Sequence, residues 1–337
     1  MSQSLKNKLN ERFKNFKVSI EGNNYTFGKY WQKEKKTFDV SFEDGFFKSK
    51  GSRDYLPVIF NEGLSNEEII PIDGKKFVNL GAEKLCTLKN KGSTHLLHTY
   101  HYFNEIKKYI KNDDICLEVG SGSGLLQFFI HHEKGGTNIL IDIPESIQSS
   151  IALCFTLFPN SKIILPNEIE KNDLDLKDFD FIFLLPNQKN LIKKFSVNFC
   201  LNTQSFMEMD IDEVNNYIKY FNDVLKSDGY CFLSNRILKR TYFFHYNFKN
   251  LNFEKVYIKK DNFYFSKENY KKSSFMNLLL QKKEYGKFSF SIFNFIFGIF
   301  NLKIWELLFW IKFYFKKITF YPFILIKSKI LQFRKKI

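Results

Sequence analysis

Arginine is nearly missing from a strongly basic chain: 5 Arg stand beside 46 Lys in 337 residues, and Phe reaches 41. We read that skew as the codon habit of an AT-rich genome, so a single Lys or Phe carries little argument. Glycine (16) and proline (7) are scarce, which excludes collagen-like and linker-like classes. The five cysteines are odd in number, form no C-x-x-C and sit among apolar neighbours. Buried, reduced thiols are the expectation rather than a disulfide framework. The opening MSQSLKNKLNERFKNF alternates charge without an apolar core, so no secretory signal is expected. No internal repeat at solenoid periods is visible.

What is present suffices for a core. The chain is 44% hydrophobic and 18% aromatic, and its length suits one large domain or two ordinary ones. The net charge of +15 is uneven. Arg236 to Ile337 carries 22 Lys and Arg against 5 Asp and Glu, a net +17, whereas Met1 to Asn235 carries 29 against 31, a net −2. A neutral body disfavours a nucleic-acid partner. A basic, aromatic tail suits a membrane surface or an acidic partner.

Along the chain, Lys17–Ile20 and Thr37–Phe42 read as short strands, with turns at Glu43–Gly45 and around Gly51. Leu96, Leu97, Tyr100, Phe103, Ile106 and Ile110 recur at helical spacing. Apolar runs follow at 115–119, 139–143, 179–185, 197–201 and 230–234, separated by helical patterns at 145–158 and 210–225. In the last of these, Asp210 and Glu213 resemble a capping box. Strand–helix alternation with buried strands predicts a parallel α/β sheet. Tyr257 and Phe263–Phe265 could close it with a hairpin.

The chemical signal is the segment Leu117-Glu118-Val119-Gly120-Ser121-Gly122-Ser123-Gly124, between the first apolar strand and a helical pattern. Glycines there let the backbone turn tightly and approach a ligand. Asp142 ends the next strand, placed to accept hydrogen bonds from ribose hydroxyls. Both a dinucleotide and S-adenosylmethionine fit such geometry. The acid ahead of the glycines would repel a phosphate and attract an ammonium or sulfonium, so S-adenosylmethionine is the expected cofactor.

With those residues in view, the segment resembles class I S-adenosylmethionine-dependent methyltransferases. Four pieces in order, LEVGSGSG (117–124), IDIPES (141–146), LNTQSFMEM (201–209) and LSNR (233–236), resemble the sugar O-methyltransferase family of bacterial surface-polysaccharide clusters. The resemblance covers about Thr94 to Arg236 and implies a Rossmann-like α/β sheet. It implies that Glu118, Gly120, Ser121, Gly122 and Gly124 hold the methionine end of the cofactor. It implies Asp142 at the ribose, Ile143 beside the adenine, and Asn187 and Gln188 at the adenine edge. The segment FIFLLPNQ (181–188) departs from the wider superfamily, where an Asp is more usual after that strand.

Methyl transfer to a hydroxyl needs alignment and a proton acceptor. Glu208 is the first candidate base, with Asn202 and Ser205 positioning cofactor or substrate from the same loop. His95, His98 and His101 form H-x-x-H-x-x-H on one helix face. His98 is the second candidate base, and His95 a substrate contact. No carboxylate or Cys nearby completes a familiar ligand pattern, so no metal is expected. Arg236 could clamp an anionic group of the substrate.

From Phe288 to Phe323 the tail carries eleven Phe, two Trp and two Tyr, and its longest uncharged run, Phe288 to Leu302, is fifteen residues. A spanning helix needs about 20, so the tail is expected to lie on an anionic membrane surface or against a partner. The expected division is an N-terminal cap over 1–92, a cofactor-binding domain over 93–270 and an amphipathic helical tail over 271–337. The expected acceptor is a sugar or glycan, free or lipid-linked, handled in the cytoplasm or on the inner membrane's cytoplasmic face. A lipid or quinone acceptor, or a non-catalytic membrane adaptor of the same fold, are the alternatives.

Overall fold

The computed structural model describes residues 1–21, 40–43, 46–49, 91–169, 174–236, 241, 243–261 and 275–288. Its centre is an eight-stranded sheet, introduced here in chain order. Strand β3 (Ile115–Val119) is followed by α3 (Leu125–Lys134), β4 (Thr137–Ile141) and α4 (Pro144–Leu157). Then come the two-residue β5 (Ile163–Ile164), β6 (Phe181–Leu184) and β7 (Val197–Thr203). Helix α5 (Ile211–Val224), β8 (Leu225–Arg236), β9 (Phe253–Lys260) and β10 (Phe275–Lys282) complete it. Ahead of it lie α1 (Gln3–Glu21), the antiparallel pair β1 (Val40–Glu43) and β2 (Phe46–Ser49), and α2 (Lys91–Ile106).

The strand order is β5-β6-β4-β3-β7-β8-β10-β9. Pairing is parallel from β5 through β8 and antiparallel at β8/β10 and β10/β9. Strands β3, β4 and β6 are buried at every residue, as expected where a parallel sheet is covered on both faces. The chain winds outward from β3 through β4 to β6, then crosses back to β7 and β8 on the other side. That order is Rossmann-like, and it opens a crevice between β3 and β7 at their carboxyl ends, where ligands bind in such sheets.

Two elements depart from expectation. Lys17–Ile20 belongs to α1, not to a strand. Leu9, Phe13 and Phe16 are buried at helical spacing, and this longer amphipathic pattern outweighs four residues of β-like composition. Residues 275–282 form β10, inserted between β8 and β9. The cofactor domain therefore continues past 270, and the helical tail does not begin at 271. Phe275 to Leu280 are all buried, so this run is a sheet interior and not a tail face. The hairpin partner of β9 is β10; residues 263–265 lie outside the described residues, as does 289–337. No helix among the described residues is long and apolar enough to cross a membrane.

The N-terminal helix is fastened to the sheet's β5 edge. Arg12 donates to both carboxylate oxygens of Glu168 at 2.6 Å and to the Ile163 carbonyl at 2.7 Å. Phe42, next along the chain, meets Phe155 of α4 edge-on at 5.5 Å. Cys116, Cys154, Cys200 and Cys231 are free and buried, and burial pushes each thiol up.

Candidate functional site

A cavity of about 260 Å³ opens at the crevice between β3 and β7. The glycine loop forms one wall. Gly120, Gly122 and Gly124 all take positive φ. At Gly120 a Cβ would come within 1.9 Å of Ser205 Oγ, and at Gly124 it would strike Phe128, Leu140 and Ser150 below 3 Å. The loop is therefore glycine-rich because close packing at two of its positions and a left-handed backbone at all three demand it.

Glu118, the last residue but one of β3, is almost wholly buried, 1% exposed. Its Oε1 accepts the Thr203 hydroxyl at 3.0 Å, while Oε2 is buried without a partner among the described residues. Burial first, and then the charge of Asp142, push its carboxyl up to about 8 against the opposing Thr203 bond. Asp142 follows β4 and is tied by the backbone N–H of Gly122 at 2.7 Å, the N–H of Ile143 at 2.7 Å and the Ser146 hydroxyl at 3.0 Å. Burial pushes it up to about 6, against those bonds.

The opposite wall comes from the segment after β7. Thr203, Gln204, Ser205, Met207, Glu208 and Met209 line the cavity, with Thr99 from α2 and Glu213 from α5. Four carboxylates, Glu118, Asp142, Glu208 and Glu213, line it, and no Lys, Arg or His does so among the described residues. In a chain with a net +15, acids gather at this cavity, and the buried Glu118 holds its proton near pH 7 until a cation meets it.

The structure thus gathers Glu118, Gly120, Ser121, Gly122, Asp142, Ile143, Ser205 and Glu208 around one cavity. Gly124 shapes the loop from behind. Five expected site residues stand elsewhere. Asn202 is fully buried beneath the loops. Its amide donates to the Val119 carbonyl at 2.8 Å and to Ser205 Oγ, and its carbonyl accepts from Phe206 N at 3.2 Å and Asn235 Nδ2 at 2.8 Å. It braces the two walls from beneath and does not line the cavity. Asn235 extends the brace by accepting Met207 N–H at 3.1 Å.

Gln188 holds Leu185 N–H at 3.0 Å and donates to the Pro166 carbonyl at 2.9 Å. Neither it nor Asn187 lines the cavity. Arg236 is exposed at the end of β8, its guanidinium over the Phe275 ring at 5.3 Å, and it clamps nothing in the cavity. His98 is 1% exposed and lies behind the wall. Its Nε2 meets Asp261 Oδ2 at 2.7 Å and its Nδ1 meets Gln204 Nε2 at 3.1 Å. Both ring nitrogens are engaged, so the base role expected of it does not fit. The side chain of His95 lies outside the described residues.

Asp210 occupies the N-cap of α5 without a side-chain cap bond, so the expected capping box is not made; Glu213 lines the cavity instead. Thr99, Thr203 and Gln204 carry no site expectation from the sequence, and Glu213 only that of a helix cap. Thr203 and Gln204 fall inside the LNTQSFMEM motif, and that adjacency was the available signal.

Strand order, glycine loop and the paired acids define a Rossmann-like α/β fold with a ligand crevice where the strand order reverses. No family model matches the chain, and no curated protein does. Among solved structures, it is similar to phosphoethanolamine N-methyltransferase 2 of Haemonchus contortus in complex with S-adenosyl-L-methionine. There the identity is 10% and the TM-score 0.31, over 40% of this chain and 28% of that one. The same organism's phosphoethanolamine N-methyltransferase 1 shares 13% identity at a TM-score of 0.41, over 67% of this chain and 52% of that one. A SAM-dependent methyltransferase of Methanosarcina mazei shares 19% at 0.36, over 53% of this chain and 97% of that one. The chain thus spans under a third of the length of the first of these.

Proposed function

We propose that the chain is an S-adenosylmethionine-dependent methyltransferase acting on a hydroxyl of a sugar, within a surface glycan or its lipid-linked precursor. One observation carries the cofactor reading: the unpartnered, buried Oε2 of Glu118 at the mouth of a glycine loop, in a cavity lined by four carboxylates and no cation among the described residues. A phosphate-bearing dinucleotide offers no cation to that oxygen. When bound, S-adenosylmethionine supplies an electrophilic methyl group on a sulfonium centre, together with an ammonium. Glu118 would pair with the ammonium and Asp142 with the ribose hydroxyls. The glycine loop admits the ligand's close approach.

Glu208 follows β7 on the wall facing Asp142, and its charge contributes to raising that residue's pKa. In the proposed reaction its carboxylate takes the proton of the acceptor hydroxyl as the oxygen attacks. The sugar reading rests on the motif resemblance and on the uncharged polar groups Thr99, Thr203, Gln204 and Ser205 in the wall. The basic, aromatic segment 288–337 would hold the enzyme at an anionic membrane, where lipid-linked sugars reside. Removing residues after 286 should abolish sedimentation with anionic vesicles, and unchanged sedimentation would overturn that part.

Calorimetric titration with S-adenosylhomocysteine, in parallel with NADH, tests the cofactor. Micromolar binding of the first and none of the second is expected, weakened by Glu118→Ala and Asp142→Ala. A folded chain that binds NADH alone would overturn the reading.

A further inference from the structure

Gln204 takes a left-handed backbone, φ 65°, on the cavity wall. Such a conformation is uncommon for a residue with a Cβ and marks a position worth explaining by function. Its backbone N–H is tied to the Ser234 carbonyl at 2.7 Å. Its side-chain amide is held from behind: Nε2 approaches His98 Nδ1 at 3.1 Å and the Tyr102 hydroxyl at 3.4 Å. The remaining atom, Oε1, has no protein partner among the described residues, and the residue is half-buried.

The buried residues behind fix which end of the amide faces out. Asp261 is 1% exposed and flanked by His98 at 2.7 Å and His101 at 3.1 Å. Burial alone would raise its carboxyl, but the two imidazole bonds outweigh that and hold it below the ordinary carboxylate range. An ionised Asp261 requires a proton on His98 Nε2. Burial holds the His98 pKa down, so the ring is neutral and its Nδ1 presents a lone pair. A lone pair there accepts only from the NH2 of Gln204, and the carbonyl is turned toward the cavity.

We propose that Gln204 is an acceptor-binding residue whose side-chain carbonyl receives a hydroxyl of a neutral polyol acceptor, with His98 and Asp261 as the residues that position it. The inference rests on the methyltransferase reading above and names the group that orients the acceptor.

The test uses the full chain, methyl-labelled S-adenosylmethionine and a set of neutral methyl hexopyranosides, with S-adenosylhomocysteine titration run on every variant. Gln204→Leu should leave S-adenosylhomocysteine affinity within about threefold. It should raise KM for the best glycoside about tenfold, as loss of one hydrogen bond predicts, and lower kcat less. His98→Gln should shift KM in the same direction, and the double variant should be no worse than Gln204→Leu alone, since His98 acts through Gln204. Additive losses, an unchanged KM in Gln204→Leu, or a wild-type chain that binds S-adenosylhomocysteine yet methylates no neutral glycoside would each overturn the proposal. A wild-type chain that fails to bind S-adenosylhomocysteine overturns the cofactor reading itself, and this proposal with it.

Discussion

Thr203 donates its hydroxyl to Glu118 Oε1 at 3.0 Å, and that single bond leaves Oε2 of the same carboxylate buried and unpartnered among the described residues. The arrangement stores a demand for one cationic hydrogen-bond donor. In its absence the carboxyl lowers the cost of burial by holding its proton, which is why its pKa sits near 8 rather than 4.5.

The first prediction concerns protons. A ligand ammonium would stabilise the charged carboxylate, so binding of S-adenosylhomocysteine near pH 7 should release up to about one proton. Titrations in two buffers of different ionisation enthalpy measure it directly. Zero exchange would mean that Glu118 does not meet the ligand.

The second is the pH dependence of stability without ligand. Glu118 is raised from 4.5 to about 8 and Asp142 from 3.8 to about 6. A carboxyl raised on folding binds its proton more tightly in the native state. Its contribution is full below the unfolded value and is lost as pH rises through the folded value. The melting temperature of the free chain should therefore fall from about pH 4 to 8 on account of these groups. Glu118→Gln should flatten the upper part of that fall. A slope unchanged by Glu118→Gln would assign it to other groups.

The third prediction tests the close approach of the two walls. Gly120→Ala places a Cβ within 1.9 Å of Ser205 Oγ and 2.4 Å of Ser205 Cβ, at φ 70°. Binding of S-adenosylhomocysteine should fall at least tenfold. Ser205→Gly in the same chain should restore part of it, because the clash goes and the backbone strain stays. No recovery would show that strain alone, and not the contact with Ser205, makes Gly120 necessary.

How much of this was legible in the sequence depends on the range of the interactions. The strands at 115–119, 139–141 and 181–184, the glycine loop and Asp142 declare themselves within a few residues. The pairing of His98 with Asp261 spans 163 residues and has no local signature, so a histidine on a helix face read as a base. The motif around Asn202 was visible, but its letters do not say which way a side chain points. Asn202 faces inward to Val119, Ser205, Phe206 and Asn235. Strand β10 is hidden for a similar reason: its partners, β8 and β9, lie outside its own segment, and the aromatic run after it mimics the start of a tail.

The fourth prediction follows from that inward orientation. Asn202→Ala leaves the Phe206 N–H, the Asn235 amide and the Val119 carbonyl short of partners in a buried site. The expected loss is about 2–4 kcal/mol of stability by chemical denaturation. Because Val119 leads into Gly120 and Phe206 leads to Glu208, ligand affinity should fall as well. A variant of unchanged stability that loses binding would return Asn202 to the role of a ligand contact.

The N-terminal helix offers the contrasting case. Arg12 is one of only five arginines, and it ties α1 to Glu168 and the Ile163 carbonyl through three bonds of 2.6–2.7 Å while lying 5.4 Å from the centre of the Phe155 ring. Its side chain is 22% exposed, so the contact is stronger than a solvated surface pair, which contributes little. Arg12→Met should cost about 1–3 kcal/mol, whereas Lys14→Met on the exposed face of the same helix should cost almost nothing. Arg12→Lys should recover only part, because an ammonium cannot reproduce the fork. None of the described lining residues of the cavity precedes Thr99. S-adenosylhomocysteine affinity should therefore persist in Arg12→Met under conditions where the chain stays folded. Loss of binding in a folded variant would instead show that the N-terminal segment shapes the cofactor crevice.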